Sequence, residues 1–559
     1  VADMTNHVRY KVFDQLSFAD VLVYSKLPPH PFWSHVADKI DFSFADRLCA
    51  VLYTGRGQHP YAPSLKLKIH LVKAYYGLSD RQTEEKIIGD LFIKRFLDLP
   101  VDFFGFDHST IGLDRSRMGE AMFRACHLYI LAQMYHYGLW GDRGEEWIID
   151  SFSTNAHITR PGTYRLIQQA FLRTLQHLRK TAPKPLVNAL ASLPLDAVGI
   201  RLRLSASTAE RMLAFSKLVG QAYGFLQWFR HPDIEPMLAG WEQYPRSQEL
   251  QATLLRILEE NSRSIDPDAG SGTMSDTDAE PEAEGAVDIQ YVIVPSHART
   301  KDCIVSAVDP EARAARKGSK IIVGYKTQNL CTSSGVILNT RTIPANEHDQ
   351  EATAGMTAEI QHFFRMTPAA LLGDAAYGHG KHRAQLAQQG IQVVAPLQTY
   401  ENPTGLFPSS LFTYDADRDV YICPNGQQSV RKTYNAKLEG HQYLFDKHTC
   451  MSCPVRMQCT RSKASGRRVF RSDYVSSYEY ARTYNDSIEG QTELQKRYTV
   501  ERKNHELKNN CGLGYTNFRG RTRNQIIGLC AAMIVNLKHT VRKLVDPKPG
   551  FIRRPQMTD

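Results

Sequence analysis

The chain has 559 residues, 42% hydrophobic and 23% charged, with a formal net charge of +10 and a pI near 9.0. That length exceeds one compact core, so two to four domains are expected, and the basic balance suits a polyanionic partner whose counterions are released on binding. No run approaches the roughly 18 apolar residues of a membrane span, the opening residues lack the apolar stretch of a secretory signal, and ten cysteines in so long a chain are not a disulfide scaffold, so a reducing, cytoplasmic setting is expected.

The first 140 residues read as helical. Leu65, Ile69, Val72 and Tyr76 recur at i, i+4, i+7 and i+11, the apolar stripe of a packed helix. Gly77 should end that helix, and Ser79-x-x-Gln82 is a capping box that opens the next. Two short helices about a glycine turn fit either a helix-turn-helix-like unit or an ordinary bundle. A further helix over 116–139 leads to Trp147-Ile-Ile-Asp150, expected to be a buried strand ended by its aspartate, where open α/β sheets present ligands.

Residues 162–263 read as a helical insertion with Leu172, Leu175, Leu178 and the cluster 225–229 in its core. Its Lys180, Lys184, Arg201 and Arg203 fit a solvated face or a brush against a nucleic acid. From 264 to 290 Gly, Ser, Pro, Asp and Glu dominate, and an acidic disordered linker is expected. Residues 306–313, 321–326 and 335–338 then suggest an antiparallel meander. Ala370-Leu-Leu-Gly-Asp374 reads as a second strand with an acid at its end, and 391–396 as the last strand.

Four of the ten cysteines follow within 401–485. Cys450-x2-Cys453 has the spacing of a metal knuckle, and Cys423 with Cys459, or His448 in place of one of them, could complete a tetrahedral zinc site. Buried free thiols are the other reading. Arg456, Arg461, Arg467 and Arg468 surround the knuckle and could contact DNA.

Arg497, Glu501 and Lys508 are four and seven residues apart, on one face of a helix. This is either a solvated face with an i,i+4 ion pair or a metal-binding carboxylate between two cations that hold phosphates. If Asp150, Asp374 and Glu501 converge, they repel by roughly 4 kcal/mol per close pair at an effective dielectric near 20. One or two Mg²⁺ ions, which take carboxylate oxygens and keep positions open for phosphate and water, would neutralise them. Arg519, Arg521 and Arg523 form a basic turn suited to clamping phosphates, 526–537 a closing helix with Cys511 and Cys530 as plain core residues, and 546–559 a frayed tail.

With Arg497-x3-Glu501-x6-Lys508 in hand, the chain resembles DDE transposases of the insertion-sequence type, those of the IS4 superfamily and most of all its IS1182-like members. Tyr76-Gly-Leu-Ser-Asp-Arg81, Phe106-Asp-His-Ser-Thr-Ile111, Asp309-Pro310, Gly324-Tyr325-Lys326 and Ala345-Asn-Glu-His-Asp349 also resemble the family's landmarks. It departs from the pattern where Leu494 replaces a tyrosine and where Ser151-Phe152-Ser153, not Gly-Thr, follows Asp150.

The resemblance implies an α/β fold: an RNase H-like catalytic core from 141–160 and 300–400, completed by helices over 486–545 that carry the third acid. Around it would lie an N-terminal helical DNA-binding domain (1–140), the helical insertion (161–263), the linker (264–290) and the Cys-rich, zinc-binding or thiol insertion (401–485). It implies that Asp150, Asp374 and Glu501 are the catalytic acids and hold two Mg²⁺ (or Mn²⁺) ions, and that Arg497 and Lys508 hold DNA. His348 and Asp349 either lie near those metals or, for Asp349, simply cap a helix.

The partner implied is double-stranded DNA, both element ends and target, engaged by a homodimer in a bacterial cytoplasm. The activity implied is recognition of terminal inverted repeats followed by metal-dependent cleavage and strand transfer. Two alternatives stay open: a metal-dependent nuclease that never joins, and a transposase-derived DNA-binding protein that has lost catalysis.

Overall fold

Trp147–Ala156 forms one continuous strand, β1, in which buried and half-buried side chains alternate past the aspartate. Asp150 therefore lies inside the strand and not at its end, because the backbone goes on pairing, antiparallel, with a distant segment as far as Asn155↔Gly324. The structure, a computed structural model, describes residues 8–11, 13, 17–53, 58–105, 107–265, 290–397 and 405–545. Phe106, nearly all of the acidic linker and the tail lie outside the described residues.

β1 is the centre of a mixed sheet. The other strands in chain order are β2 (Arg313–Lys317), β3 (Lys320–Thr332), β4 (Ile337–Pro344), β5 (Ala370–Leu372) and β6 (Gln392–Val394). β3 lies antiparallel beside β1, with β4 antiparallel outside it, while β5 and β6 follow on the other side, parallel to β1. The two-residue strand Tyr515–Thr516 adds in parallel to the far end of β1. This order, with helices around it, is consistent with an RNase H-like core. From Thr327 onward β3 is buried at every residue, as expected of a strand covered on both faces.

The meander expected from 306 is shorter at its start. Residues 306–312 form no strand; Asp309 is buried there, accepting from the Tyr325 hydroxyl at 2.7 Å and from the Gly520 N–H at 3.1 Å, and Pro310 has no N–H to give a ladder. Regular pairing begins at Arg313.

Seven helices bear on the site: α1 (Pro63–Tyr76), α2 (Asp80–Gly89), α3 (His108–His136), α4 (Thr353–Phe364), α5 (Gly380–Gln388), α6 (Tyr498–His505) and α7 (Arg521–Leu544). α1 ends at Gly77 in the left-handed region (φ 65°), and Ser79 and Gln82 make both bonds of the capping box that opens α2. α1 is more than a striped helix: Leu65, Leu67, Ile69, Leu71 and Val72 are all buried, so it is a core helix packed against α3 and α7. α3 starts eight residues earlier than the apolar pattern suggests, at His108, and carries a non-helical residue at Gly119. One hydrophobic cluster runs from these N-terminal helices through the sheet to α7.

Among the described residues β4 pairs with no strand but β3, and α7 supplies what that edge needs. Gln525 accepts from the Thr342 N–H at 2.5 Å and donates to the Thr340 carbonyl at 2.8 Å. Asn536 accepts from the Ile337 N–H and donates to its carbonyl, both at 2.8 Å. A carboxamide offers both functions, so it can stand in for a strand. Asn536→Ala should cost about 3 kcal/mol, since two buried backbone groups lose their partners; a denaturant midpoint unchanged in that variant would contradict this.

The helical insertion follows β1 directly and has its own core, in which Leu175, Leu178, Phe225 and Phe229 are buried. Asp302 ties it to the sheet by accepting from Arg256 and Arg313, both at 2.7 Å. Residues of the Cys-rich region form a three-stranded antiparallel sheet from Ser429–Asn435, Gly440–Phe445 and Arg468–Ser472. Among the described residues no helix is long and apolar enough to cross a membrane.

Candidate active site

The parallel pairing of β1 with β5 fixes two acids side by side. Ile148 lies opposite Leu372, and Asp150 and Asp374 each follow two residues later. Asp374 leaves the sheet and caps the short helix Ala375–Tyr377, its Oδ1 accepting from the Ala376 N–H at 2.8 Å. Asp150 is partly buried, and burial, with the charge of Asp374 added, pushes its carboxyl up to about 6 against the pull of the Ser151 N–H, Asn504 and Arg497. Two neighbouring carboxylates, Asp150 with its raised pKa and Asp374 beside it, offer hard oxygen donors suited to a divalent cation.

α6 lies across β1 and β3. Asn504 donates to Asp150 Oδ2 at 2.9 Å and accepts from the Asn329 side chain of β3 at 2.8 Å. Glu501, one turn earlier on the same face, is 60% exposed, and its carboxylate stands 3.9 Å from the Arg497 guanidinium. Asp150, Asp374 and Glu501 do not present three oxygens within 4.8 Å of one another; among the described residues only Glu84, Asp107 and His108 form such a group. That trio belongs to the start of α3, where Asp107 is the N-cap and Glu84 accepts from the His108 N–H. The structure thus brings Asp150 and Asp374 together and leaves Glu501 at the rim.

Arg497 is the N-cap residue of α6, and its buried Nε–H has no acceptor among the described residues. Lys508 does not continue the α-helical face, because residues Glu506–Asn510 form a π-helical turn. The wider turn rotates Lys508 out of the register that four- and seven-residue spacing predicts, a distortion frequent at functional sites. It is exposed, as are Arg519 and Arg523, whereas Arg521 lies 3.6 Å from Glu120. The turn is docked by Phe518, which sits 5.1 Å from Lys73 and 4.7 Å from the Arg115 guanidinium, two cations also joined by Asp80.

Asp349 does not cap α4, whose N-cap is Ala352; it pairs with Lys326 at 2.7 Å, and His348 is exposed. Asp349, Asp150 and Asp374 all act electrostatically on Tyr377. Burial, then the charges of Asp349, Asp150 and Asp374, holds the Tyr377 phenol well above its ordinary value, so it remains a hydrogen-bond donor. The ring fits only because residue 373 is glycine, where a Cβ would come within 2.8 Å of Tyr377. Arg383 fixes the loop behind Asp374 by donating to the carbonyls of Gly378, Val393 and Ala395.

Asn504, Asn329, Tyr377 and Arg383 were not apparent from the sequence. Asn504 alone left a signal, its three-residue offset from Glu501 on a helix.

Cys423, Cys450, Cys453 and Cys459 are free and line one pocket, which His448, exposed, does not. Cys511 and Cys530 are buried in the main core.

Residues 22–117 match the family described as "Transposase domain (DUF772)", and residues 285–537 the family described as "Transposase DDE domain". The chain belongs to the DDE transposases. The two domains in this order are the architecture of IS1182-family members. No curated protein and no solved structure gave a match. DDE transposases are polynucleotidyl transferases that use divalent metal ions and act on DNA. Asp374 and Glu501 fall within the DDE match, while Asp150 and all of β1 lie between the two matched stretches.

Proposed function

We propose that this DDE transposase binds the terminal inverted repeats of an insertion sequence and carries out strand cleavage and strand transfer, with Asp150, Asp374 and Glu501 as its acids. The observation that carries the reading is the Asp150–Asp374 pair on adjacent parallel strands, hydrogen-bonded through Asn504 to the helix that bears Glu501. The three carboxylates would hold two Mg²⁺ or Mn²⁺ ions, which supply Lewis acidity to the attacking and leaving oxygens of a phosphodiester.

The chain's own residues set up that chemistry. Asp150 must be ionised to act, and the Asn504 N–H together with Arg497 favours its anionic form against burial. Asn329 fixes the Asn504 amide so that its N–H points at Asp150. Tyr377 keeps a proton beside both acids. Arg497, whose side chain is partly exposed beside Glu501, places its guanidinium at the rim where a backbone phosphate would lie.

Lys508, Arg519, Arg521 and Arg523 extend that basic surface along the bound duplex, and two copies would hold paired ends. Lys508→Ala should weaken binding of end-containing duplex uniformly across sequences and lower the slope of log K against log salt by about 0.9, the loss of one phosphate contact. An unchanged slope in a salt titration would remove Lys508 from the interface.

The deciding experiment incubates the protein with pre-cleaved end duplex, a target plasmid and Mg²⁺. Joined product is expected. Cleavage of uncut ends without any joining would make the protein a nuclease, and binding with neither would make it a silent derivative.

A further inference from the structure

The four cysteines of the pocket arrive on separate pieces of backbone. Cys423 opens a tight turn closed by the Gly426 N–H to its carbonyl at 2.8 Å, and Cys453 opens another, closed by Arg456 at 3.1 Å. Cys450 lies on the short helix Lys447–Met451, and Cys459 ends the helix Arg456–Cys459. Their common cavity has a volume of about 90 Å³ and is otherwise walled by Phe407, Phe445 and Val455 together with polar side chains, Asp446 among them.

Two cations share that wall. Arg467 donates to the carbonyls of Cys459 and Phe407 at 2.8 and 2.7 Å, and Arg456 to that of Ser462 at 3.1 Å. The Nε–H of each is buried with no acceptor among the described residues. Four neutral thiols would set two guanidinium groups against a single lining carboxylate, Asp446, in a partly buried setting. Four thiolates around a metal core of charge +2 leave a net −2, negative charge that the arginines are placed to offset.

The spacing distinguishes between metals. A single zinc about 2.3 Å from each sulfur draws the sulfurs to within about 3.8 Å of one another. Here no three of the four lie within 4.8 Å of one another, and the cavity holds far more than one ion, since about 15 Å³ already accommodates a water. A cluster with a different iron for each cysteine spreads its thiolates and fills such a space. We propose that this pocket binds an iron–sulfur cluster through Cys423, Cys450, Cys453 and Cys459, in place of the single zinc that the Cys450-x2-Cys453 spacing suggests.

The test is the metal content of the full chain purified without oxygen from iron-replete cells, together with its visible absorption. About four irons and four acid-labile sulfides per chain are expected, as for a cubane cluster with four cysteine ligands, with a broad visible band that bleaches on reduction. Cys453→Ser should lose iron, whereas Cys303→Ser, outside the pocket, should keep it. If the Cys453 variant does not fold, the wild-type measurement still decides. One zinc per chain with no iron or sulfide overturns the cluster. So does folded protein that holds no metal even after supply of ferrous iron and sulfide.

Discussion

Asp374→Asn should abolish cleavage and joining of end-containing duplex, by a factor of about a thousand or more, while DNA binding persists. The substitution is gentle on structure: the asparagine oxygen can still accept from the Ala376 N–H that Asp374 Oδ1 now holds, so the cap and the loop behind it survive. What disappears is one negative charge beside Asp150. Its repulsion raises the Asp150 carboxyl, so Asp150 should become a stronger acid in the variant even as the site loses its grip on divalent ions. Several kcal/mol of transition-state stabilisation by metal is at stake, and each 1.36 kcal/mol is about tenfold in rate. Gel assays of cleavage, with binding measured in parallel, separate the two effects; full activity in the variant would end the assignment of Asp374.

Acid should weaken the fold above the range of about pH 4 where ordinary carboxylates titrate. His70 on α1, His127 on α3 and His539 on α7 are buried where those helices meet, and burial lowers them to about 3, 4 and 3. The native chain keeps all three neutral, while the unfolded chain protonates them below about 6.5. Their contribution is therefore complete above that value and is lost as pH falls toward 4. At pH 5 each forfeits about 2 kcal/mol, so together about 6 kcal/mol.

Asp150 acts in the opposite sense: its raised carboxyl takes up a proton in the folded chain as pH falls through about 6, which offsets part of the loss. Denaturant midpoints measured from pH 7.5 to 5 should fall steeply, and His127→Gln should flatten the curve by roughly a third of the histidine effect. A midpoint independent of pH over that range would contradict the placement of these rings.

What could be read from the chain follows the range of the forces concerned. Gly77 and the Ser79–Gln82 box act within a few residues, and both stand where the local pattern puts them. The apolar periodicity of the insertion likewise predicts its buried Leu175, Leu178 and Phe225. The misreadings lie where a distant partner decides. Asp150 reads as a strand end because nothing near it announces that β3 will pair onward to Asn155. Asp349 reads as a helix cap because nothing nearby announces Lys326, its partner, on another strand. Lys508 reads as part of one helical face because a π turn leaves no mark in residue spacing. α1 shows a stripe in sequence but is buried all round, since α7 arrives from the far end of the chain.

The central position of β1 has a consequence for biosynthesis. β1 is made long before β3 and β5, and its far end waits for Tyr515–Thr516. At about 5–20 residues per second, an apolar strand with both edges bare emerges many seconds ahead of its first neighbour. The nascent polypeptide therefore exposes that strand during translation, and products released early are candidates for aggregation and proteolysis. Because the last sheet contact comes from so near the C-terminus, only chains synthesised almost to the end can assemble a complete catalytic sheet.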